Sequence, residues 1–135
     1  MSTYVRIRIG DETYAVAVEH VHEVVRLGLL TPIPGAGASV LGIFNLRGGI
    51  VPVFDLAHLL GVTAPGPRHR MLIADVNGRQ VGLAVDEVTD VTELAGVTEQ
   101  TDSNLLTGAA LVEDELVGFI DLPSLFEILH GRQAV

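Results

Sequence analysis

Gly42-Ile-Phe-Asn-Leu-Arg-Gly-Gly-Ile-Val-Pro-Val-Phe-Asp-Leu-Ala-His-Leu-Leu60 decides the fold, because the chain carries it twice. The second version is Gly108-Ala-Ala-Leu-Val-Glu-Asp-Glu-Leu-Val-Gly-Phe-Ile-Asp-Leu-Pro-Ser-Leu-Phe126. The glycine, a mid-strand valine (Val51 and Val117), the Asp-Leu pair and a following leucine (Leu59 and Leu125) recur in register. The hairpin tips differ: Arg47-Gly48 in one copy, Glu113-Asp114 in the other. The apolar frame is therefore architectural, and Arg47 is not something the frame itself requires.

The repeat reaches further back. Tyr14-Ala-Val-Ala-Val-Glu-His-Val-His-Glu-Val24 aligns with Val81-Gly-Leu-Ala-Val-Asp-Glu-Val-Thr-Asp-Val91, matching Glu19 with Asp86 and Glu23 with Asp90. Two copies about 66 residues apart imply a pseudo-two-fold pair of small β-units. A unit of about 65 residues is marginal for a lone core, so the two are expected to pack on each other. The boundary between them is a natural groove for a partner.

Strand signals dominate the rest. Tyr4 to Ile9 alternates, with Val5, Ile7 and Ile9 on one face, the period of a half-buried strand. Tyr14 to Val18, Glu23 to Leu27, Gly42 to Arg47, Ile50 to Phe54, Met71 to Val76, Gln80 to Val85, Leu105 to Val112 and Leu116 to Ile120 read as further strands. Gly48-Gly49 and Asn77-Gly78 read as hairpin turns. Asp86 to Leu94 is apolar at Val88 and Val91, three apart. Asp55 and Asp121 sit where helix N-caps belong; Gly61 can stop the first helix, and Pro123 lies early in the second. Pro32 to Gly37 and Val62 to Arg70 are loops.

At 135 residues and 48% apolar, the chain can bury a sizeable core as one domain or two subdomains. No window approaches the roughly 18 unbroken apolar residues of a membrane span, and no signal peptide is visible, so cytoplasm is the expectation. There is no cysteine, which removes disulfides, thiolate metal sites and thiol nucleophiles. A net charge of −9 without a single lysine argues against nucleic acid and anionic membranes as partners.

The residues offer little catalytic chemistry. There is no phosphate-binding glycine loop with lysine and no dinucleotide fingerprint. His20 and His22 would share a strand face, but no third ligand is near, and they read as surface histidines. His58 and His69 have no visible partner. Ser39, Ser103 and Ser124 lack the surroundings of an activated nucleophile. Asp75, Asp86 and Asp90 are capable of forming a carboxylate pair, yet solvated strand faces are the simpler expectation. No metal or cofactor is expected. Arg47 stands apart: beside two glycines its guanidinium is accessible and offers a planar fork suited to a carboxylate. Glu23 is placed to meet it, either as a plain loop-orienting salt bridge or as part of a docking surface.

Val21-His-Glu-Val-Val-Arg26, Pro32-Ile-Pro34, the Gly42–Leu56 stretch, Val81 to Val91, Leu105-Leu-Thr-Gly108 and Asp121-Leu-Pro-Ser-Leu-Phe126 together resemble the CheW family of bacterial chemotaxis coupling proteins. The resemblance spans nearly the whole chain. It implies a mainly β fold of two intertwined, five-stranded SH3-like barrels, with short helices and a C-terminal helix, acting as a single CheW-like domain. It also implies a non-catalytic adaptor, cytoplasmic at membrane-associated receptor arrays, that bridges transmembrane chemoreceptors to the histidine kinase CheA. The receptor tip would dock in a groove between subdomains at positions matching Val21, Glu23, Gly42 and Arg47, and the regulatory domain of CheA would dock elsewhere. His22 and Phe44 are local departures that bear on partner choice. Only five residues follow His130, which disfavours a multidomain kinase or a response-regulator fusion. A pathway controlling pili or another output is as compatible as a flagellar one. Two other classes stay open: an enzyme or small-ligand barrel using Asp75, Asp86 or the His20/His22 pair, and a domain of this fold forming a homo-oligomeric ring or array outside chemotaxis.

Overall fold

The computed structural model describes residues 1–133. Ten strands and two helices follow in order: β1 Ser2–Ile9, β2 Glu12–Ala17, a single 3-10 turn Val18–His20, β3 Val21–Arg26, β4 Val40–Leu46, β5 Gly49–Asp55, α1 Leu56–Leu60, β6 Arg70–Val76, β7 Arg79–Val85, β8 Glu87–Leu94, β9 Leu106–Val112, β10 Glu115–Ile120 and α2 Leu122–Gln133. The strands form two five-stranded sheets, ordered β8-β1-β2-β10-β9 and β3-β6-β7-β5-β4. The fold is mainly β, as expected.

The sequence repeat corresponds to β1–β5 and β6–β10, and the two sheet orders map onto each other when each strand is exchanged for its counterpart. Neither copy builds its own sheet. Each sheet takes the first hairpin of one copy and the last three strands of the other, joined by the parallel pairs β2–β10 and β5–β7. The copies are thus intertwined, and separating them would break ladders in both sheets.

Period-2 alternation sends each strand into two cores. On β6, Leu72, Ala74 and Val76 enter a large cluster shared by both sheets, while Met71 and Ile73 turn into the interior of their own sheet with Val51, Val53 and Ala84. The first sheet has the matching cluster of Ala15, Leu94, Ala110, Val117 and Phe119, where Tyr4 meets Phe119 edge to face at 5.0 Å. Leu122, Leu125, Phe126 and Leu129 of α2 are buried in the shared cluster, the spacing of one helical face. Asp55 accepts a hydrogen bond from the Ala57 amide and Gly61 closes α1 in the left-handed region. Asp121 accepts from the Ser124 amide. Both aspartates cap, as their positions suggest.

Three sequence expectations need correction. The first hairpin turn is Arg47-Gly48, with both residues at positive φ (50° and 84°), and Gly49 already belongs to β5. The segment after Asp86 is a full strand, β8. Its period is masked by a bulge: Arg6 pairs with Asp90 but Ile7 with Val88, leaving Thr89 as the extra residue. Val88 and Val91, three apart, thereby stand opposite Ile7 and Val5, two apart on β1. Asp75, Asp86 and Asp90 are less solvated than expected: each is half-buried and holds a hydrogen-bonded partner.

Candidate functional site

β3 carries the same bulge as β8. Val21 pairs with Ala74 and Glu23 with Ile73, so His22 is the extra residue. The bulge flips Glu23 relative to Val21. Ala74 belongs to the shared core and Ile73 to the interior of the second sheet. Val21 is half-buried against the shared core, whereas Glu23 turns toward the β4–β5 hairpin.

There it meets Arg47. Arg47 Nη1 lies 2.9 Å from Glu23 Oε2, with the Glu23 side chain 23% exposed and Arg47 70% exposed. The arginine therefore holds the carboxylate with one arm and presents the rest of its fork to solvent. Its backbone is an unusual place for arginine. A two-residue hairpin of this twist needs positive φ at both central positions, which asparagine and glycine tolerate best. The β6–β7 hairpin uses that pair, Asn77-Gly78, at φ 55° and 82°. Holding a non-glycine residue there costs roughly 1 kcal/mol. Asn45 supports the turn by accepting from the Gly48 amide at 3.0 Å.

Gly42 serves the backbone. Its φ is 150°, and a Cβ there would lie 2.7 Å from the Thr31 carbonyl oxygen. That space lets Thr31 and Ile43 exchange hydrogen bonds of 3.0 and 2.8 Å, tying the Pro-Gly loop to β4. Gly108 does the same in the second copy, where a Cβ would collide with Val97 and with the Glu99 carbonyl. Of the four site residues read from sequence, the structure joins Glu23 and Arg47. It sets Val21 on the other face and makes Gly42 a loop anchor.

Asp90, the counterpart of Glu23, is spent differently. Arg6 stands directly opposite it on β1 and donates to both carboxylate oxygens, at 2.7 and 2.5 Å. These hydrogen bonds hold the Asp90 carboxyl below its ordinary range.

Sequence reading missed Arg68, which sits in a Pro- and Gly-rich loop and belongs to no repeat. Its side chain is only 8% exposed. Nε reaches Asp55 Oδ1 at 3.2 Å, Nη1 pairs with Asp86, and Nη2 donates to the Ala64 carbonyl at 2.5 Å. Asp86 also accepts from the Gly10 amide at 2.6 Å. Burial pushes the Arg68 guanidinium down, and the hydrogen bonds to Asp86 and Asp55 outweigh that, leaving it firmly cationic. This knot clamps the start of α1 to the β1–β2 turn and the β7–β8 junction.

Among the described residues no group of three or more His, Asp or Glu side chains is placed to hold a metal. His20 closes the 3-10 turn and His22 is the bulge residue of β3. Ser103 accepts from the Leu105 amide. No described helix is long and apolar enough to cross a membrane.

Known proteins resemble this chain throughout. A family model described as CheW-like domain matches residues 3–130. Chemotaxis protein CheW of Rhizobium meliloti (strain 1021) is 31% identical, covering 90% of this chain and 85% of that protein. Probable chemotaxis protein CheW of Rhizobium etli is 33% identical over 96% of this chain and 90% of its own length. The crystal structure of the scaffolding protein TtCheW from Thermoanaerobacter tengcongensis superposes with a TM-score of 0.82 at 31% identity, covering 90% of this chain and 84% of that one. With the intertwined sheets, the paired Gly42 and Gly108 anchors and the Glu23–Arg47 hairpin in place, the chain belongs to the CheW-like domain family of chemotaxis scaffold proteins.

Proposed function

We propose that this protein is a non-catalytic adaptor that couples the cytoplasmic tip of transmembrane chemoreceptors to the regulatory domain of the histidine kinase CheA, working in the cytoplasm at receptor arrays. The observation that carries this reading is Arg47. It stands in one copy only, is braced by Glu23, and keeps most of its guanidinium in water. The matching tip of the other copy, Glu113-Asp114, also holds positive φ (51° and 67°), so what sets Arg47 apart is its exposed fork and its Glu23 brace. An exposed guanidinium fork braced on one side by a carboxylate is suited to meeting a partner's acceptors on the other. Val21 and Gly42 support it from behind, one by packing β3 on the core and one by fixing the loop beside β4.

The test is a pull-down with a receptor's cytoplasmic helical hairpin. Arg47→Glu should abolish capture while circular dichroism shows an unchanged fold. Undiminished capture by a folded Arg47→Glu protein removes the receptor assignment from this hairpin.

A second reading concerns the output. Protein FrzA of Myxococcus xanthus is 37% identical over 60% of this chain, covering 52% of that protein, and unlike the Rhizobium relatives it is not named for chemotaxis. A scaffold of a non-flagellar chemosensory pathway accommodates the same geometry. Motility and pilus phenotypes of a deletion strain separate the two.

A further inference from the structure

Ser39 and Leu105 hold the same place in the two copies. The Ser39 carbonyl accepts from the amide of Asp55, which caps α1, and the Leu105 carbonyl accepts from that of Asp121, which caps α2, both at 2.8 Å. The residues that follow also pair alike, Val40 with Phe54 and Leu106 with Ile120. Leu105 packs against the shared core. Ser39 is buried, at 5% exposure, yet carries only a hydroxymethyl group.

A pocket of about 320 Å³ opens beside Ser39. Its walls are Val40 of β4, Pro52 and Phe54 of β5, Leu129 of α2 and Ile33 of the Pro-Gly loop, with no charged side chain among them. Among the described residues the Ser39 hydroxyl has no hydrogen-bond partner. It keeps some accessible surface, since no described side-chain polar atom sealed from solvent lacks a partner. Serine in a leucine's place is thus doubly unfavourable: it leaves volume unfilled and takes a hydroxyl out of water without a protein partner. A bound molecule offsets both. The strands of the pocket both belong to the second sheet, and Val40 and Phe54 close the β4–β5 ladder at the end far from Arg47.

We propose that this pocket binds a small neutral molecule, apolar except for one hydroxyl or N–H group, of which phenol and indole are simple representatives. The Ser39 hydroxyl both donates and accepts, so it suits either group, and the apolar walls take the ring. A charged ligand is disfavoured, because nothing in the lining offsets its desolvation. The volume suffices, since an apolar cavity of about 150 Å³ already takes benzene. Apolar walls with a few placed polar groups are the usual make-up of small-molecule sites. The pocket acts in this way whether or not the Arg47 hairpin contacts a receptor.

The test is a heteronuclear NMR titration of the full chain with phenol, with toluene and benzoate as parallel probes. Phenol should shift the amides of Ser39, Val40, Phe54 and Leu129, and benzoate should leave them in place. Toluene should bind about fivefold more weakly, the loss expected for one neutral hydrogen bond. Ser39→Leu should abolish phenol binding by filling the pocket, while Ser39→Ala should bind phenol and toluene equally. Arg47→Glu should bind phenol as the parent does. The proposal is overturned if phenol shifts nothing or shifts amides elsewhere, if folded Ser39→Leu binds it undiminished, or if Ser39→Ala keeps the preference over toluene. Pocket amides that shift with protein concentration alone would give the pocket to a second copy of this chain, and overturn the proposal equally.

Discussion

Arg6 and Asp90 face each other across β1 and β8 and close a two-pronged ion pair, whereas Glu23, which holds Asp90's place in the other copy, has Ile73 as its cross-strand partner. The same acid at the same bulge is internal to the sheet in one half and left to the hairpin tip in the other. That asymmetry, in an otherwise duplicated frame, gives one carboxylate a cross-strand arginine and the other an arginine at a hairpin tip.

Arg47 should be nearly silent in stability. An exposed ion pair contributes about 0–1 kcal/mol, and Arg47→Gly relieves the positive-φ strain as it removes the pair. Urea denaturation of Arg47→Gly should match the parent within about 0.5 kcal/mol while receptor capture is lost. A large stability loss would make the pair a folding element.

Arg68 should behave in the opposite way. Removing one partner from a buried ionic knot leaves its carboxylates uncompensated, a loss of about 3–5 kcal/mol. Arg68→Leu should therefore shift the urea midpoint far down, and Arg68→Leu with Asp86→Asn should recover part of the loss. Independent, additive effects would show that Arg68 and Asp86 do not act as a unit.

Gly42→Ala sets a Cβ against the Thr31 carbonyl at a backbone angle that L residues rarely adopt. About 1–3 kcal/mol of destabilisation is expected, with faster hydrogen exchange at the Thr31 and Ile43 amides. If those amides stay protected while receptor capture falls, Gly42 acts at the receptor surface and not through the loop.

The Asp90 carboxyl, held below its ordinary range by Arg6, sets a pH window. A depressed folded value gives stability that is fully present above the unfolded carboxylate range, near pH 4, and is lost as pH falls through the lower folded value. The stability gap between the parent and Asp90→Asn should hold from pH 7 to about pH 5 and close in more acidic solution. A gap independent of pH would mean the Arg6 contact is not ionic in effect.

Much of this architecture was legible beforehand. Period-2 alternation marked β1, Asn77-Gly78 marked the hairpin of β6 and β7, and Asp55 and Asp121 marked helix starts, because each signal lies within a few neighbouring residues. The recurring Gly42 and Gly108 marked equivalent positions, though not the loop that each admits. β8 escaped because a bulge shifts its apolar residues from spacing two to spacing three.

Sequence by itself settled the duplicated frame, most of its strands, the Asn77-Gly78 turn, both helix caps and the singularity of Arg47. Tertiary structure alone decided which strands pair, so that each sheet is built from both copies. It also turned Glu23 away from Val21, gave Asp90 to Arg6, buried Arg68 between Asp55 and Asp86, and left Arg26 facing Arg70. The division has one physical cause. Turns, caps and side-chain alternation are fixed by local backbone sterics and hydrogen bonding. Ion pairs between residues as far apart as Arg6 and Asp90 depend on register, and register is chosen only when the apolar faces of strands from both copies are buried together in the shared core.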